Sequence, residues 1–542
     1  MSKTLLVTSA LPYANGDIHL GHMVEHIQTD IFVRYHRLKG NQCYYMCADD
    51  THGTAIMLSA QKAGITPETF IEDVQKQHEA DFSLYGISYD QYYTTHSQEN
   101  ETIAVEIYHA AKQDGGIIEK NIDQYFCEES QLFLADRYIK GECPACSAPD
   151  QYGDACEKCY ATYSATELNN PISVFSGKPP VLKSSVHYFF KLNKYESVIQ
   201  EWLSTNPVVD AVKNKLKEWF DQGLKDWDIS RDAPYFGFQI PETDQKYFYV
   251  WMDAPVGYIA TTAHWALKNG HSADDFWKNK SVEIHHFIGK DIMYFHTLFW
   301  PAMLSVAGYC APKKVHIHGF LTINGEKMSK SRGTFILARD FVAHLHPDTL
   351  RYYYASKLTA SLEDIDFNGV DFLNKINSDV LGKYLNIASR IGAILNKNCD
   401  GQMGVMDQEG LNLIADILTK KQAISDCYES LDTNRAMRLI MGCADLANKY
   451  IDSKAPWQQV KDDVARAQIT CTTALNALRV LSVYLMPVMP KITEEVFLFL
   501  KIDPPNWESV NTPLQSHVIA TYQHILKRLT LADIEQVFPQ PK

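Results

Sequence analysis

The rhythm of hydrophobic and polar positions changes several times along this chain. A continuous apolar run from Thr4 to Ala10, TLLVTSA, reads as a buried strand. After a turn-rich stretch, apolar residues recur at helical spacing from His19 to Gly40, and the glycine is placed to close the helix. NQCYYMCADD, residues 41–50, is again strand-like and ends in two aspartates. Strand, helix and strand predict a β-α-β unit, hence an α/β fold with a parallel sheet and ligands at the strands' carboxyl ends. The stretches Leu11–His22 and Asp49–His52 fall at such ends. From Gly115 to about Leu224 long helical periods are few, and tyrosines, prolines and four close cysteines accumulate. This region is expected to be an insertion. From Lys225 the α/β pattern returns, and alternation around Asn324-Gly325 predicts strand, tight turn and loop. Beyond about residue 370 nearly all of the chain has helical periodicity, which predicts a separate helix bundle.

Composition narrows the class. A chain of 542 residues is too long for one core, so roughly three or four domains are expected. No apolar run reaches the ~18 residues of a membrane span, and the N-terminal run reads as a strand rather than a signal peptide. The net charge of −14, from 51 basic and 65 acidic residues, opposes broad nucleic-acid binding but leaves room for a local basic track. Twelve cysteines in so long a chain, without a secretory signal, point to reduced thiols and a cytoplasmic protein.

Four of those cysteines carry chemistry. Cys143-Pro-Ala-Cys146 and Cys156-Glu-Lys-Cys159 are two CxxC turns in close succession. Each turn lets two thiolates reach one ion, and two turns complete a tetrahedral four-sulfur zinc site. With no position left for water, such a zinc is structural. Gly141 and Gly153 precede the two pairs, where tight knuckles are expected. A thiol-redox pair is the competing reading. The other eight cysteines read as small buried apolar residues.

The stretch LPYANGDIHLGH, Leu11 to His22, is followed by Glu25 and His26. His22-x-x-Glu25-His26 matches a zinc-hydrolase pattern, with two rings on one helix face and a glutamate as base. The other reading is a nucleotide cradle. His19 and His22 then place imidazole donors at a helix N-terminus, where phosphate charge is stabilised. Gly21 leaves room for a flat purine against the backbone. A second feature, KMSKS at Lys327 to Ser331, decides between them. Two lysines and two serines stand on a loop flanked by Gly325 and Gly333. Lysine charge suits a leaving pyrophosphate, and loop closure excludes water.

HLGH and KMSKS together resemble the two signatures of class I aminoacyl-tRNA synthetases. ALPYANGDIHLGH, CADDTHGT, WDISRDAPYFG, YVWMDAPVGY, HFIGKDIMYFHTLFWPA, KMSKSRGT and DSKAPW narrow the resemblance to the methionyl family, bacterial type with one zinc knuckle. The likeness covers nearly the whole chain. It implies a Rossmann-like catalytic domain in two halves, 1–114 and 225–325, split by a zinc-bearing connective insertion, 115–224. A KMSKS and stem-contact region, 326–384, and an all-α anticodon-binding bundle, 385–542, would follow.

The resemblance also implies roles. Methionine and ATP, with Mg²⁺ on its phosphates, would give methionyl-adenylate, and the methionyl group would pass to the 3′ end of initiator and elongator tRNA(Met). His19, His22, Lys327 and Lys330 match the catalytic signature residues; with Gly21, the two histidines and Lys330 would hold ATP. Asp50 matches the carboxylate that receives the substrate ammonium. The methionine pocket would take Ala10, Leu11 and Tyr13 from one side, and Trp251, Ala254, Pro255, Tyr258, Ile292, Phe295 and His296 from the other. An aromatic cage suits a polarizable thioether. Trp457 matches a tryptophan that stacks on an anticodon base, and Asn386 and Arg390 match residues that bind base edges. Arg231 is expected near the active site. Longer family members carry a further C-terminal domain used for dimerisation, so a monomer is expected, with no membrane association. A zinc hydrolase and a nucleotidyltransferase for a smaller substrate are the alternatives.

Overall fold

The structure is a computed structural model. It describes residues 2–538 apart from 135–137, 154, 155, 157, 160, 162, 207, 209 and 329–333; the side chains of residues 210, 211 and 327 also lie outside what is described.

The first strand, β1 (Thr4–Ser9), leads through the turn-rich stretch into α1 (Leu20–Leu38) and back into β2 (Gln42–Asp49). Then come α2 (Pro67–Leu84), β3 (Gln91–Thr94) and α3 (Gln98–Gln113). The insertion is built on β4 (Ile117–Cys127) and β5 (Val181–Phe190), paired antiparallel along 117–126 and 181–190. The α/β pattern resumes with α4 (Val256–Lys268), β6 (Val282–Gly289) and β7 (Lys314–His318). The central sheet is wholly parallel, in the order β7-β6-β1-β2-β3. Strand order reverses direction between β1 and β6, so the crevice at their carboxyl ends is a topological switch point, where open α/β sheets bind ligands.

Both faces of the sheet are covered, and β1 shows how the sequence does it. Leu5 and Val7 enter a core shared with α1, while Leu6 enters the opposite core with α3 and α4. In α1, Leu20, Met23, Val24, Ile27 and Ile31 form the buried stripe that the periodicity predicts. Gly40 closes the connection at φ +82°, a conformation that favours glycine.

The core of α1 continues without a break through α5 (Pro347–Ala355) into the helical bundle. There α6 (Asn386–Asn398), α7 (Thr433–Lys454), α8 (Val464–Leu485) and α9 (Pro490–Leu500) pack together. Helix α8 is buried on every side from Thr470 to Leu485 and forms the bundle's axis. A buried ion pair ties the two bodies. Arg351 on α5 meets Asp30 on α1 at 2.7 Å and donates to the carbonyls of Pro487 and Val488 just before α9.

The insertion ends in two helices, Glu196–Thr205 and Asp210–Gln222, in a region where long helical periods are few. Each is short and carries a single narrow stripe, Ile199 with Trp202 and Val212 with Leu216, set among polar residues. Gly141 does not form a knuckle turn. A Cβ there would meet the Asn169 carbonyl at 2.7 Å, so the glycine serves close strand approach, and the left-handed residue of the first knuckle is Ser147, at φ +54°. The predicted tight turn is present. Leu321–Ile323 and Glu326–Lys327 pair antiparallel around Asn324 and Gly325, both at positive φ.

Candidate active site

The turn after β1 places HLGH at the switch point. His19 caps α1, and its Nδ1 accepts the Gly21 N–H at 3.1 Å. The His19 N–H donates in turn to His22 Nδ1 at 3.2 Å, and the two rings stack with centroids 3.8 Å apart. Because both Nδ1 atoms accept backbone protons, each neutral ring carries its proton on Nε2. Burial, with the neighbouring His19, His26 and His78, holds His22 well below the usual histidine range. The signature therefore presents neutral N–H donors.

Glu25 and His26 point elsewhere. Glu25 is pushed up to about 7 by burial, against the opposing hydrogen bond to His318 Nε2 at 3.4 Å. His26 lies between Ser9 Oγ and the Tyr89 hydroxyl, and burial lowers it to about 3. Among the described residues, His22, Glu25 and His26 do not form a group of ligands able to share an ion. The zinc-hydrolase alternative fails on that geometry.

The segment that follows KMSKS returns to HLGH. The Leu20 N–H donates to the Ile336 carbonyl at 3.0 Å, and the Ala338 N–H to the Ile18 carbonyl at 2.9 Å. His19 and Leu337 form an antiparallel bridge, and Phe335 stands edge-on to the His19 ring at 4.9 Å. Met328 comes closer still. A Cβ on Gly21 would lie 2.5 Å from its terminal methyl, so a methionine side chain fills the space that was expected to receive a purine. Lys330 lies outside the described residues, as does the side chain of Lys327.

Asp50 stands at the end of β2. Its N–H donates to the Pro12 carbonyl at 2.9 Å and its carbonyl accepts from Ala14 at 2.8 Å, which seats Tyr13 alongside it. The carboxyl Oδ1 is buried without a hydrogen-bond partner. Burial first, then the charges of Asp253 and Asp49, pushes this acid well above the carboxylate range. A buried carboxylate with an open oxygen is a place for a cation to enter.

Around it the expected pocket residues meet in pairs. Ala10 and Ile292 pack in one apolar cluster. Leu11 lies over Gly257, where a Cβ would be 2.9 Å from its methyl. Trp251 and Phe295 stack face to face at 3.9 Å, and the Tyr258 hydroxyl meets His296 Nε2 at 2.9 Å. Ala254 and Pro255 form the link between the short helix Val250–Asp253 and α4. Phe295 and His296 lie on a π-helical turn, Phe295–Phe299, a distortion that recurs at functional sites. Arg231 holds its guanidinium 3.9 Å over the Tyr249 ring, beside a cavity of about 350 Å³ lined by the insertion and by Asp228, Asp232 and Tyr235.

The four knuckle cysteines come together. All four Sγ atoms lie within 4.8 Å of one another, with Cys143–Cys159 at 3.7 Å and Cys146–Cys156 at 3.6 Å. A tetrahedron with Zn–S bonds of about 2.3 Å has edges near 3.8 Å. The N–H groups of Lys158 and Cys159 both donate to Cys156 Sγ at 3.3 Å, which favours a thiolate there. The residues fit a structural zinc.

At the bundle, the Arg390 guanidinium lies 4.6 Å over the Trp457 ring and pairs with Asp452 at 2.6 Å. Asn386, one helical turn earlier, donates to Asn448 Oδ1 at 3.1 Å. Trp457 is 38% exposed, so part of its ring faces solvent.

Comparison with known proteins decides the family. The model of class I tRNA synthetases of the methionyl type matches residues 5–392, and that of the anticodon-binding domain of methionyl tRNA ligase matches 401–526. The chain belongs to the class I methionyl-tRNA synthetases. A methionine–tRNA ligase of Thiobacillus denitrificans (strain ATCC 25259 / T1) is 52% identical over 541 residues, covering 99% of this chain and 78% of that protein. Two solved structures of Mycobacterium tuberculosis methionyl-tRNA synthetase share the fold. The complex with methionyl-adenylate has a TM-score of 0.78 at 23% identity, over 99% of this chain and 100% of the other. The apo form has a TM-score of 0.72 at 21% identity, over 98% and 99%. No helix among the described residues is long and apolar enough to cross a membrane.

Seen within this synthetase family, several residues of the site escape sequence reasoning. Arg339 Nη2 binds both Asp17, beside HLGH, at 2.6 Å and Asp81 on α2 at 3.0 Å. His52 pairs with Asp253 and contacts His96 Nδ1 at 3.0 Å. Arg339, Asp81 and His96 lie outside every quoted motif. They are joined to their partners across tens to hundreds of residues, and no local pattern marks them.

Proposed function

We propose that this chain is a methionine–tRNA ligase, which activates L-methionine with ATP and passes the methionyl group to initiator and elongator tRNA(Met). The observation that supports this reading is the backbone bridge between His19 and Leu337 at the switch point, which brings the segment that follows KMSKS to HLGH. The substrate ammonium is assigned to the open Asp50 oxygen and the thioether to the aromatic group of Trp251, Tyr258, Phe295 and His296. The carboxylate of methionine attacks the α-phosphorus, pyrophosphate leaves, and the adenylate's methionyl group is then taken by the terminal ribose of the tRNA. Neither step needs a protein nucleophile. The chain positions the reactants and supplies donors to developing charge, with His19, His22, Lys327 and Lys330 in that role. Mg²⁺ enters with ATP and offsets phosphate charge. A zinc on the four knuckle cysteines holds the insertion in shape, and Asn386, Arg390 and Trp457 read the anticodon.

The division into 1–114, 115–224, 225–325, 326–384 and 385–542, a monomeric state and a cytoplasmic location belong to the same proposal. The test is methionine-dependent exchange of pyrophosphate into ATP by the purified chain without tRNA. Exchange with another amino acid and none with methionine refutes it.

A further inference from the structure

Helix α2 lies outside both signatures, yet it reaches the turn before HLGH and, through Arg339, the segment that follows KMSKS. Its buried side includes Ile71, His78, Asp81 and Phe82, so two polar groups one turn apart face the interior. His78 Nδ1 lies 2.7 Å from Asp49 Oδ1 at the end of β2, and its Nε2 lies 2.7 Å from the Gly16 carbonyl in the turn before HLGH. Asp81 reaches the same turn indirectly, through Arg339 and Asp17.

We propose that His78 is a positioning residue for methionine activation, clamping the turn that carries His19 and His22 to the strand end that carries Asp50. This rests on the function proposed above. A carbonyl only accepts, so Nε2 must carry a proton. Asp49 Oδ1 already accepts the Tyr92 hydroxyl at 2.5 Å, so it too needs a donor from the ring. A group that donates at both ends of a rigid plane is an imidazolium. Glutamine donates only through its single amide nitrogen, and leucine donates nothing.

The surroundings bear on that charge from every side. On α1, His22 and His26 are the facing titratable groups, and both are depressed in part by His78. From β2 comes Asp49, from β3 Tyr92, and from α2 itself Asp81, which Arg339 engages. Burial lowers the His78 pKa; the Asp49 bond and charge and the Gly16 carbonyl outweigh it, so the net shift is upward. A raised pKa means that the clamp is complete below the ordinary histidine range and is lost as pH rises through the shifted value.

The experiment compares the full chain with His78→Gln and His78→Leu in pyrophosphate exchange, varying ATP and methionine separately across neutral to mildly alkaline pH, with thermal midpoints measured alongside. The expected result for His78→Gln is a fall in kcat/KM for ATP of roughly tenfold to a hundredfold, the scale of small misplacements of reacting groups. The methionine KM should move less than about threefold, and the alkaline limb of the wild-type profile should disappear. A folded variant with unchanged constants and profile overturns the proposal. So does a loss that falls equally on ATP and methionine and tracks a lowered midpoint, since that marks a purely structural role. If neither variant folds, the wild-type profile decides: a flat alkaline side at sub-saturating ATP overturns the clamp. A wild-type chain that exchanges with a different amino acid refutes the function and leaves the His78 comparison intact.

Discussion

Asp50 shows how much one residue's surroundings determine. Its open oxygen is buried beside two other acids, and the site gains a balanced charge only when a cation arrives. Asp50→Asn should therefore raise the methionine KM roughly a hundredfold, in line with removing one partner of a buried charge pair. Exchange kinetics against methionine concentration check this; an unchanged KM places the ammonium elsewhere. The place of this acid was legible because CADD ends a strand. Its lack of a partner was not, because burial depends on Pro12 to Ala14 folding over it. The same holds for Met328. KMSKS announces its lysines, but the contact of its methionine with Gly21 depends on two segments far apart in the chain.

At the level of elements, local pattern was a sound guide where an element carries a continuous apolar run or a wide buried stripe, and a weak one where the stripe is narrow. β1, α1 and β2 are found where their patterns predict, whereas the two short helices that close the insertion are hidden among polar residues. The joints between elements were not legible. Arg351 has no side-chain exposure and serves α1 and the approach to α9 at once. Arg351→Met should destabilise the fold by less than the ~3–5 kcal/mol of a fully unpaired buried charge, because Arg34 still meets Asp30 at 2.6 Å, and chemical denaturation measures it. Burial alone would raise Asp30; the charges of Arg34 and Arg351, with a Ser88 hydrogen bond, reverse this and hold it at about 2. Its folded value is depressed, so its contribution is complete above the ordinary aspartate value and is lost as pH falls through about 2. The Arg351→Met variant should show a weaker form of that acid dependence, since Arg34 and Ser88 still engage Asp30. In the insertion, metal analysis should give one zinc per chain, removed by Cys143→Ser together with Cys146→Ser. Retention of zinc in that double variant would contradict the four-sulfur assignment.

The whole molecule separates two tasks. The switch point lies at one end of the sheet, and Trp457 with Arg390 lies in the bundle, with a continuous core between them. Trp457→Ala should leave amino-acid exchange unchanged and lower kcat/KM for tRNA charging roughly tenfold to a hundredfold, the worth of one stacked base. Equal loss of both activities would refute the separation. The bundle itself was legible from its periodicity, and Trp457 from the KAPW motif.

If Arg390 and Trp457 read the anticodon as proposed, the state of Arg390 has a consequence for the kind of RNA this surface can accept. Its charge is already engaged by Asp452, so this guanidinium is not a bare cation. Entry there is an exchange of partners, with a base edge or phosphate taking over what a carboxylate releases. Such an exchange gains little from charge alone and much from a base that can lie on the open face of Trp457. On a chain with a net charge of −14, generic backbone is repelled and this arrangement offers it no compensation. Under the proposed anticodon role, selectivity at this end would come from withholding attraction until a loop of the right shape arrives.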